Sequence, residues 1–180
     1  TIMLDTIFTI GHSTRTIEEF ISLLNTYDIS LVVDVRTIPK SRHNPQFGED
    51  EISKSLKAAK IKYKQLPLLG GLRPTTKDSI NMAWRNTSFR GFADYMQTKD
   101  FEKGIGQLLK LAKKDITTIM CAEAVPWRCH RSLIGDALLV RDIKVCDIMT
   151  EKSLKPHKLT GWAQVQGTTV TYPGEQIQLF

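Results

Sequence analysis

The segment from Cys121 to Arg131 concentrates reactive side chains in this chain. It contains two thiols, the carboxylate of Glu123, the imidazole of His130 and two guanidinium groups. A thiol close to a helix N-terminus and to cations is expected to have a lowered pKa, which makes Cys129 a predicted nucleophile. Glu123 and His12 are then predicted to exchange protons, and Arg36 and Arg131 to bind substrate charge, with His130 as a further candidate catalytic residue. Because consecutive helical residues diverge around the axis, Cys129, His130 and Arg131 serve one site only if the helix begins after them.

Other interpretations of this segment stay open. Either thiol could be a small buried apolar group, with the arginines tying loops to carboxylates. The thiols could also form a redox pair or, with His130 and His12, ligate a metal, although structural zinc favours closely spaced ligands and seven residues separate these cysteines. A phosphatase-type loop from Cys121 to Arg128 fits poorly, because Glu123 would repel the anion that the loop should bind. We therefore assign no metal ligands.

Two further polar clusters follow predicted strands. Gly11, His12 and Ser13 come after a β-branched run, where an imidazole can act as acid, base or phosphate donor, or can be a hydrogen-bonded structural histidine. Asp34 and Arg36 stand two residues apart on an extended segment, so they share a face. They could pair structurally, or Arg36 could turn to an anion at the strand end. The first hypothesis for both clusters is contact with substrate.

Two long connections, residues 37–48 and 67–87, are predicted to be functional loops. Ser41 lies in the first of them between prolines, which indicates a positioned loop. Gly70 and Gly71 lie in the second, which we expect to form another wall of the site and a lid. Ligands of open parallel sheets bind at the carboxyl ends of the strands, where these clusters all fall.

The elements that position these residues alternate along the chain. Apolar β-branched runs predict strands at residues 6–10, 31–33 and 116–121, and the first two enclose a helix in which Thr16 and Glu19 fit a capping box. This unit predicts two parallel, neighbouring strands. Further predicted elements are helices at 50–59, 89–96, 101–111 and 130–140, and strands at 61–66 and 144–149.

The alternation predicts a single α/β domain over residues 1–180, with a mainly parallel sheet flanked by helices. The tail after residue 155 changes character. Its β-prone run at residues 168–172 and a following Pro-Gly pair predict an edge hairpin that closes over the sheet.

Bulk composition is that of a globular protein, with 41% hydrophobic and 24% charged residues. The formal charge of +6 favours an anionic ligand or nucleic acid as partner. No apolar run reaches the ~20 residues of a membrane span. Three widely spaced cysteines do not form a disulfide framework, and the N-terminal segment has no secretory pattern, so we expect a cytoplasmic protein. No cofactor and no oligomeric state is indicated.

Four ordered blocks resemble the family catalogued as domain of unknown function 488. The blocks are Ile10-Gly11-His12-Ser13, Asp34-Val35-Arg36 with Pro39, Ser41, Pro45 and Phe47, Leu69-Gly70-Gly71, and Cys121-Ala122-Glu123 with Cys129-His130-Arg131. The resemblance covers most of the chain and implies a cytoplasmic α/β protein whose family pattern uses these same polar residues. It implies no reaction.

Three functions are compatible with these residues. The favoured one is a small enzyme acting on an anionic, nucleotide or nucleic-acid-related substrate at the strand ends. The alternatives are a non-catalytic nucleic-acid-binding module, in which Trp84, Trp127 or Trp162 stacks bases, and a metal or redox protein using Cys121 and Cys129.

Overall fold

In a computed structural model of the chain, which describes residues 5–174, short apolar runs form the central strands of a sheet. Within that range the strands are β1 Thr6–Gly11, β2 Leu31–Asp34, β3 Lys62–Gln65, β4 Thr117–Cys121, β5 Lys144–Thr150, β6 Ser153–Pro156, β7 Gln164–Gln166 and β8 Thr169–Thr171. The α-helices are α1 Ile17–Thr26, α2 Glu49–Ala58, α3 Thr87–Tyr95, α4 Lys99–Ala112 and α5 Arg131–Leu139. Single 3₁₀ turns occupy Pro45–Phe47, Pro67–Leu69 and Pro126–Arg128.

In the described chain, six strands form a sheet in the order β3-β2-β4-β1-β5-β6, and only β6 runs antiparallel. The predicted single α/β domain with a mainly parallel sheet is therefore confirmed. The prediction that β1 and β2 are neighbours is wrong, because β4 lies between them and pairs with both. The crossover rule fixes the handedness and direction of two strands, but not whether a later strand enters the gap.

The side chains of each central strand alternate between two apolar cores. On one face α1 and α2 cover Val32, Met120 and Ile148, while on the other α3, α4 and α5 cover Val33 and Ile119. All five residues of β4 are buried, which explains its continuous apolar pattern. The result is a three-layer arrangement in which the carboxyl ends of β1, β2 and β4 meet at one edge.

Local signals placed the helices well. Thr16 caps α1, since its hydroxyl accepts a hydrogen bond from the backbone N–H of Glu19 at 3.1 Å. Asn86 and Thr98 cap α3 and α4 in the same way, and both helices begin two residues before their predicted starts. A cap residue lies outside the apolar repeat, so periodicity alone starts a helix too late.

The C-terminal segment contains two antiparallel pairings. β7 and β8 form the predicted hairpin, with Gly167 at φ 59° in its turn, but they make a two-stranded sheet of their own. The edge of the main sheet is instead occupied by β6, which follows β5 after a tight turn and was not predicted. The segment Ser153–Pro156 is mostly exposed, so it carries no apolar signal.

Asp136 on α5 fixes this segment to the domain. Its carboxylate is fully buried and accepts hydrogen bonds from Tyr172 Oη at 2.7 Å and from the backbone N–H of Thr160 at 3.1 Å. His157 Nε2 lies 2.8 Å from the same carboxylate. A buried carboxylate is stable only when it is paired or hydrogen-bonded, so these three contacts hold the tail against α5. Among residues 5–174, no helix is both long and apolar enough to cross a membrane.

Candidate active site

A cavity of about 490 Å³ opens at the carboxyl ends of β2 and β4. Its walls come from the ends of these strands, the loops that follow them, and the start of α3. The lining residues are Arg36, Thr37, Ile38, Lys40, Gly71, Leu72, Asn86, Ser88, Phe89, Cys121, Ala122, Glu123, Arg128, Cys129 and His130. We call this cavity the cysteine pocket.

Cys121 and Cys129 both line the pocket and are both buried. Burial opposes ionisation of Cys121, but the thiol of Cys129 and the guanidinium of Arg131 stabilise its thiolate and hold its pKa below the ordinary value. The interaction with Cys121, together with burial, raises the pKa of Cys129 well above that value. These opposite directions favour ionisation of Cys121 over Cys129, whereas the sequence favoured Cys129 as the nucleophile.

Arg131 is the cation that contacts Cys121. Its Nε donates to Cys121 Sγ at 3.1 Å, Nη1 donates to Thr9 Oγ1 at 2.6 Å, and Nη2 donates to the carbonyl oxygens of Glu123 and Ala124 at 2.9 and 3.0 Å. The side chain has no exposed surface. The sequence predicted that Arg131 binds substrate charge. Instead, its guanidinium N–H groups donate hydrogen bonds within the domain and orient the loop after Cys121.

His130 lies just before the first helical residue of α5 and lines the pocket. Its Nε2 is within 3.0 Å of the Val35 carbonyl oxygen and 3.1 Å of the Leu69 carbonyl oxygen, so Nε2 carries the proton and donates. Nδ1 is then an acceptor, 3.4 Å from Cys129 Sγ. Burial lowers the pKa of His130 to about 4, so the ring is neutral at physiological pH.

Two glycines let backbone and ring approach closely. A Cβ on Gly71 would lie 2.6 Å from His130 Nδ1, and a Cβ on Gly11 would lie 1.8 Å from the carbonyl oxygen of Glu123. Gly71 therefore packs its Cα against the imidazole, and Gly11 lets the end of β1 meet the loop after β4. Both glycines shape the site without supplying a functional group.

Arg36 reaches the pocket from β2 and is held from behind by Asp34. Its Nε and Nη2 donate to the two carboxylate oxygens at 2.9 and 2.7 Å, and Tyr63 Oη donates to the same carboxylate at 2.5 Å. Burial and the Asp34 charge raise the pKa of Tyr63, so the phenol stays protonated. Arg36 therefore pairs with Asp34, as one sequence interpretation expected, and it also lines the pocket, while contact with an anion stays a prediction.

His12 lies behind Arg36, outside the pocket lining. Its ring stacks on Phe47 with centroids 4.3 Å apart, and its Nδ1 lies 2.9 Å from the carbonyl oxygen of Ser13. Arg36 Nη1 lies 3.4 Å from Nε2, which is consistent with a proton on Nδ1 and a lone pair on Nε2. Burial lowers the pKa of His12. The residue supports Arg36 and is not placed to exchange protons with a ligand in the pocket.

The charged side chains that line the pocket are mostly cationic. The lining contains three cations, Arg36, Lys40 and Arg128, and one carboxylate, that of Glu123. Glu123 is exposed and accepts a hydrogen bond from the backbone N–H of Val125 at 3.1 Å, which uses a loop amide that an anion cradle would need. The positive charge at this pocket is thus supplied by side chains and not by the loop backbone, and that of Arg36 is paired with Asp34.

The predicted site residues divide into two groups. Those that line the pocket are Arg36, Gly71, Glu123, Cys129 and His130, and those outside its lining are Gly11, His12, Ser13, Asp34, Ser41, Gly70 and Arg131. Ser41 accepts a hydrogen bond from the Asn44 backbone, so it shapes its own loop. Gly70 packs on Thr37, where a Cβ would lie 2.7 Å from Oγ1. Ser13 has φ 51°, and its backbone N–H donates to the Ala122 carbonyl oxygen.

The long connection of residues 67–87 forms the wall opposite the cysteines, through Gly71, Leu72 and Asn86. Asp94 on α3 fixes this connection, since its carboxylate accepts hydrogen bonds from Ser79 Oγ at 2.5 Å and Asn81 Nδ2 at 2.8 Å. The loop is a wall, and closure as a lid stays a prediction.

Sequence reasoning missed several contributors. Lys40 and Arg128 were not assigned, although each follows a strand end within a few residues. Tyr63 lies on β3, and only the parallel register of β3 with β2 brings it to Asp34. In residues 5–174, no group of three or more His, Cys, Asp or Glu side chains is arranged to hold a metal ion.

Fold and site together define a three-layer α/β protein with a buried pair of thiols in a cationic pocket at the carboxyl edge of its sheet. The family described as "Domain of unknown function DUF488" matches residues 16–138, more than half of the 180 residues, and the chain belongs to it. This confirms the resemblance drawn from the four sequence blocks. No curated protein and no solved structure matches the chain.

Proposed function

We propose that this protein is a cysteine-dependent enzyme that acts on an anionic substrate in the cysteine pocket. One observation carries the proposal. Cys121 has a lowered thiol pKa through Arg131 and Cys129, and it lines a pocket with three cationic side chains. A stabilised thiolate is a nucleophile, and a cationic cleft concentrates anions around it.

The pair of thiols supplies a nucleophile and a proton donor. Cys121 Sγ attacks an electrophilic centre of the substrate and forms a covalent bond, while the bond to the leaving group breaks and the leaving group takes the proton of Cys129. Water then attacks the covalent intermediate, gives a proton to Cys129 and releases Cys121 as the thiolate. The net reaction is hydrolysis, and the pair returns to its starting protonation state.

Other residues hold this pair and the substrate in place. His130 is neutral and fixed by two carbonyl oxygens, so its Nδ1 orients the Cys129 thiol without removing the proton. Arg36 has five N–H donors, of which Asp34 and His12 engage three. The other two are available to an anionic oxygen. Lys40 and Arg128 add charge at the exposed rim.

Differential alkylation tests the proposal. For each cysteine, the ratio of its modification rate by anionic iodoacetate to its rate by neutral iodoacetamide measures its preference for an anion. We expect this ratio to be about tenfold or more higher at Cys121 than at Cys146. Cys146 is the internal control, since it lies on β5 outside the pocket lining and its pKa is raised by burial. Peptide mapping by mass spectrometry gives both rates from one sample.

Variants at the rim separate charge from accessibility. Lys40→Gln and Arg128→Gln should each lower the iodoacetate preference of Cys121, while Lys54→Gln, on the exposed surface of α2, should leave it unchanged. Equal ratios at Cys121 and Cys146 in the unmodified protein would contradict an anion-selective thiolate pocket.

A second candidate function is thiol–disulfide exchange, favoured by the opposite pKa shifts of two interacting thiols. In this reaction the Cys121 thiolate attacks a small disulfide and expels one thiolate, and Cys129 then displaces the second as the Cys121–Cys129 bond forms. Cys129→Ser should trap the mixed disulfide of Cys121 with oxidised glutathione. A protein that stays fully reduced in oxidised glutathione would exclude this function.

A further inference from the structure

All three tryptophans of the chain line a second cavity, of about 450 Å³. The side chains of Trp127 and Trp162 are 62% and 51% exposed, unusual values for the largest aromatic residue. Trp84 forms the inner wall, with its ring edge-on to Trp162 at a centroid distance of 5.2 Å. We call this the tryptophan cavity.

The linings of the tryptophan cavity and the cysteine pocket are neighbours at two places. In the turn Pro126–Arg128, Trp127 lines the tryptophan cavity and the next residue, Arg128, lines the cysteine pocket. Trp84 stacks on Phe89 with centroids 5.0 Å apart and an interplanar angle of 27°, and Phe89 lines the cysteine pocket. A ligand with two chemically different ends could therefore occupy both.

The charged residues at the rim of the tryptophan cavity favour an anionic ligand over a cationic one. Lys155 and Lys158 lie on the rim, with one carboxylate, Asp147, while His157 is turned toward Asp136. Asp147 is only 7% exposed and accepts a hydrogen bond from Thr9, with Arg131 Nη1 3.9 Å away. An aromatic cage for a quaternary ammonium ion needs uncompensated negative charge or neutrality, which this rim does not provide.

Trp84 adds a polar requirement. Its Nε1–H is buried and has no hydrogen-bond partner among residues 5–174. A buried donor without an acceptor is unfavourable, and a ring nitrogen or carbonyl oxygen of a ligand that reached this N–H would satisfy it. A heteroaromatic ring offers such atoms at its edge and a flat face for stacking on indole.

We propose that the tryptophan cavity binds the base of a nucleotide whose phosphate occupies the cationic cysteine pocket. This inference rests on the proposed function for the phosphate end and names its substrate class. The base stacks against Trp127, the more exposed of the two surface tryptophans, and Lys155 and Lys158 draw the anionic ligand toward the cavity. The nucleotide is either free or part of a single strand.

Titrations with adenosine 5′-monophosphate, uridine 5′-monophosphate and ribose 5-phosphate, followed by tryptophan fluorescence and calorimetry, test the base site. The nucleotides should bind more tightly than ribose 5-phosphate and quench the fluorescence. Trp127→Ala should weaken nucleotide binding between about 5-fold and 150-fold, the range of one base–aromatic stacking contact, and leave ribose 5-phosphate unaffected. Trp127→Phe should restore most of the loss.

Two further titrations distinguish a free nucleotide from a nucleotide within a single strand. A short single-stranded oligonucleotide that binds far more tightly than either monophosphate, with affinity that falls steeply with salt, identifies a base within a strand. Equal or better binding of the monophosphates identifies a free nucleotide.

Other results would overturn the inference. Equal affinity for ribose 5-phosphate and both nucleotides, or nucleotide binding unchanged by Trp127→Ala, excludes a base in this cavity, and fluorescence quenching by choline alone indicates a cation cage. Tryptophan-dependent nucleotide binding without iodoacetate selectivity at Cys121 would retain the base site and reject the thiolate enzyme.

Discussion

The Nε of Arg131 donates a hydrogen bond to the Sγ of Cys121 at 3.1 Å, although one residue ends a central strand and the other begins a helix. The same guanidinium binds the carbonyl oxygens of Glu123 and Ala124. One buried cation therefore contacts both the thiol and the loop that follows it.

Replacement of Arg131 by methionine should destabilise the protein by about 3 kcal/mol or more, since two carbonyl oxygens and Asp147 lose a buried cationic partner. Urea unfolding measures the loss. Arg128→Met is the matched control, because Arg128 is exposed and its replacement should change the free energy of unfolding by less than about 0.5 kcal/mol. Similar losses in both variants would contradict the role assigned to Arg131.

The alkylation rate of Cys121 should depend on pH differently from that of Cys146. The thiolate is the reactive form, and the pKa of Cys121 is lowered while that of Cys146 is raised. The rate of iodoacetamide modification at Cys121 should therefore reach its plateau at lower pH. Peptide mapping between pH 5 and 10 measures both profiles. A Cys121 inflection at or above that of Cys146 would reject the assignment of the thiolate.

His130 should make the protein less stable in acid. Its folded pKa of about 4 lies below the ordinary value of about 6.5, so between these pH values the unfolded chain binds the proton more readily. Stability that His130 contributes is complete above about pH 6.5 and is lost as pH falls toward 4, by up to about 3 kcal/mol.

The matched variant for this prediction is His130→Gln, whose amide N–H can still donate toward Val35 and Leu69 but does not titrate. Urea unfolding at pH 7 and pH 4.5 should show a smaller difference for the variant than for the parent. The comparison cancels the contributions of other titrating groups, including His12. An unchanged difference would show that His130 is not the group responsible.

Gly71→Ala should displace the imidazole of His130, because the new Cβ would lie 2.6 Å from Nδ1. We expect a loss of about 1–3 kcal/mol and faster alkylation of Cys129, whose thiol loses its oriented acceptor. Gly106→Ala on α4 is the control. That position has no atom within 4 Å of the added methyl, so helix propensity should make the variant slightly more stable. Equal stability of the two variants would contradict close packing at Gly71.

The sequence predicted the positions of helices and strands better than it predicted which strands are neighbours in the sheet. Thr16 identified the start of α1 because capping is a local interaction, and β4 was recognised because both its faces are buried. The position of β4 between β1 and β2 depends on contacts across more than 80 residues, which no local pattern contains. β6 was not predicted, because an exposed edge strand needs no apolar side chains.

The site was predicted in composition but not in roles. Strand-end reasoning found Arg36, Glu123 and His130, which do line one pocket. It assigned the thiolate to Cys129 because that residue lies nearer the start of α5. The interaction between the two thiols, and an Arg131 side chain that points back to Cys121, instead lower the pKa of Cys121. Side-chain direction is a tertiary property, and sequence spacing does not determine it.

The central position of β4 has a consequence for synthesis on the ribosome. When synthesis has reached residue 110, β1 and β2 have been made but β4, which lies between them in the sheet, has not. Both strands pair with residues 117–121. Until that segment emerges, the β2–β3 pair and β1 present unpaired edges to solvent. Contacts so distant in sequence form slowly, so we expect the nascent chain to complete its sheet late and then in a single cooperative step.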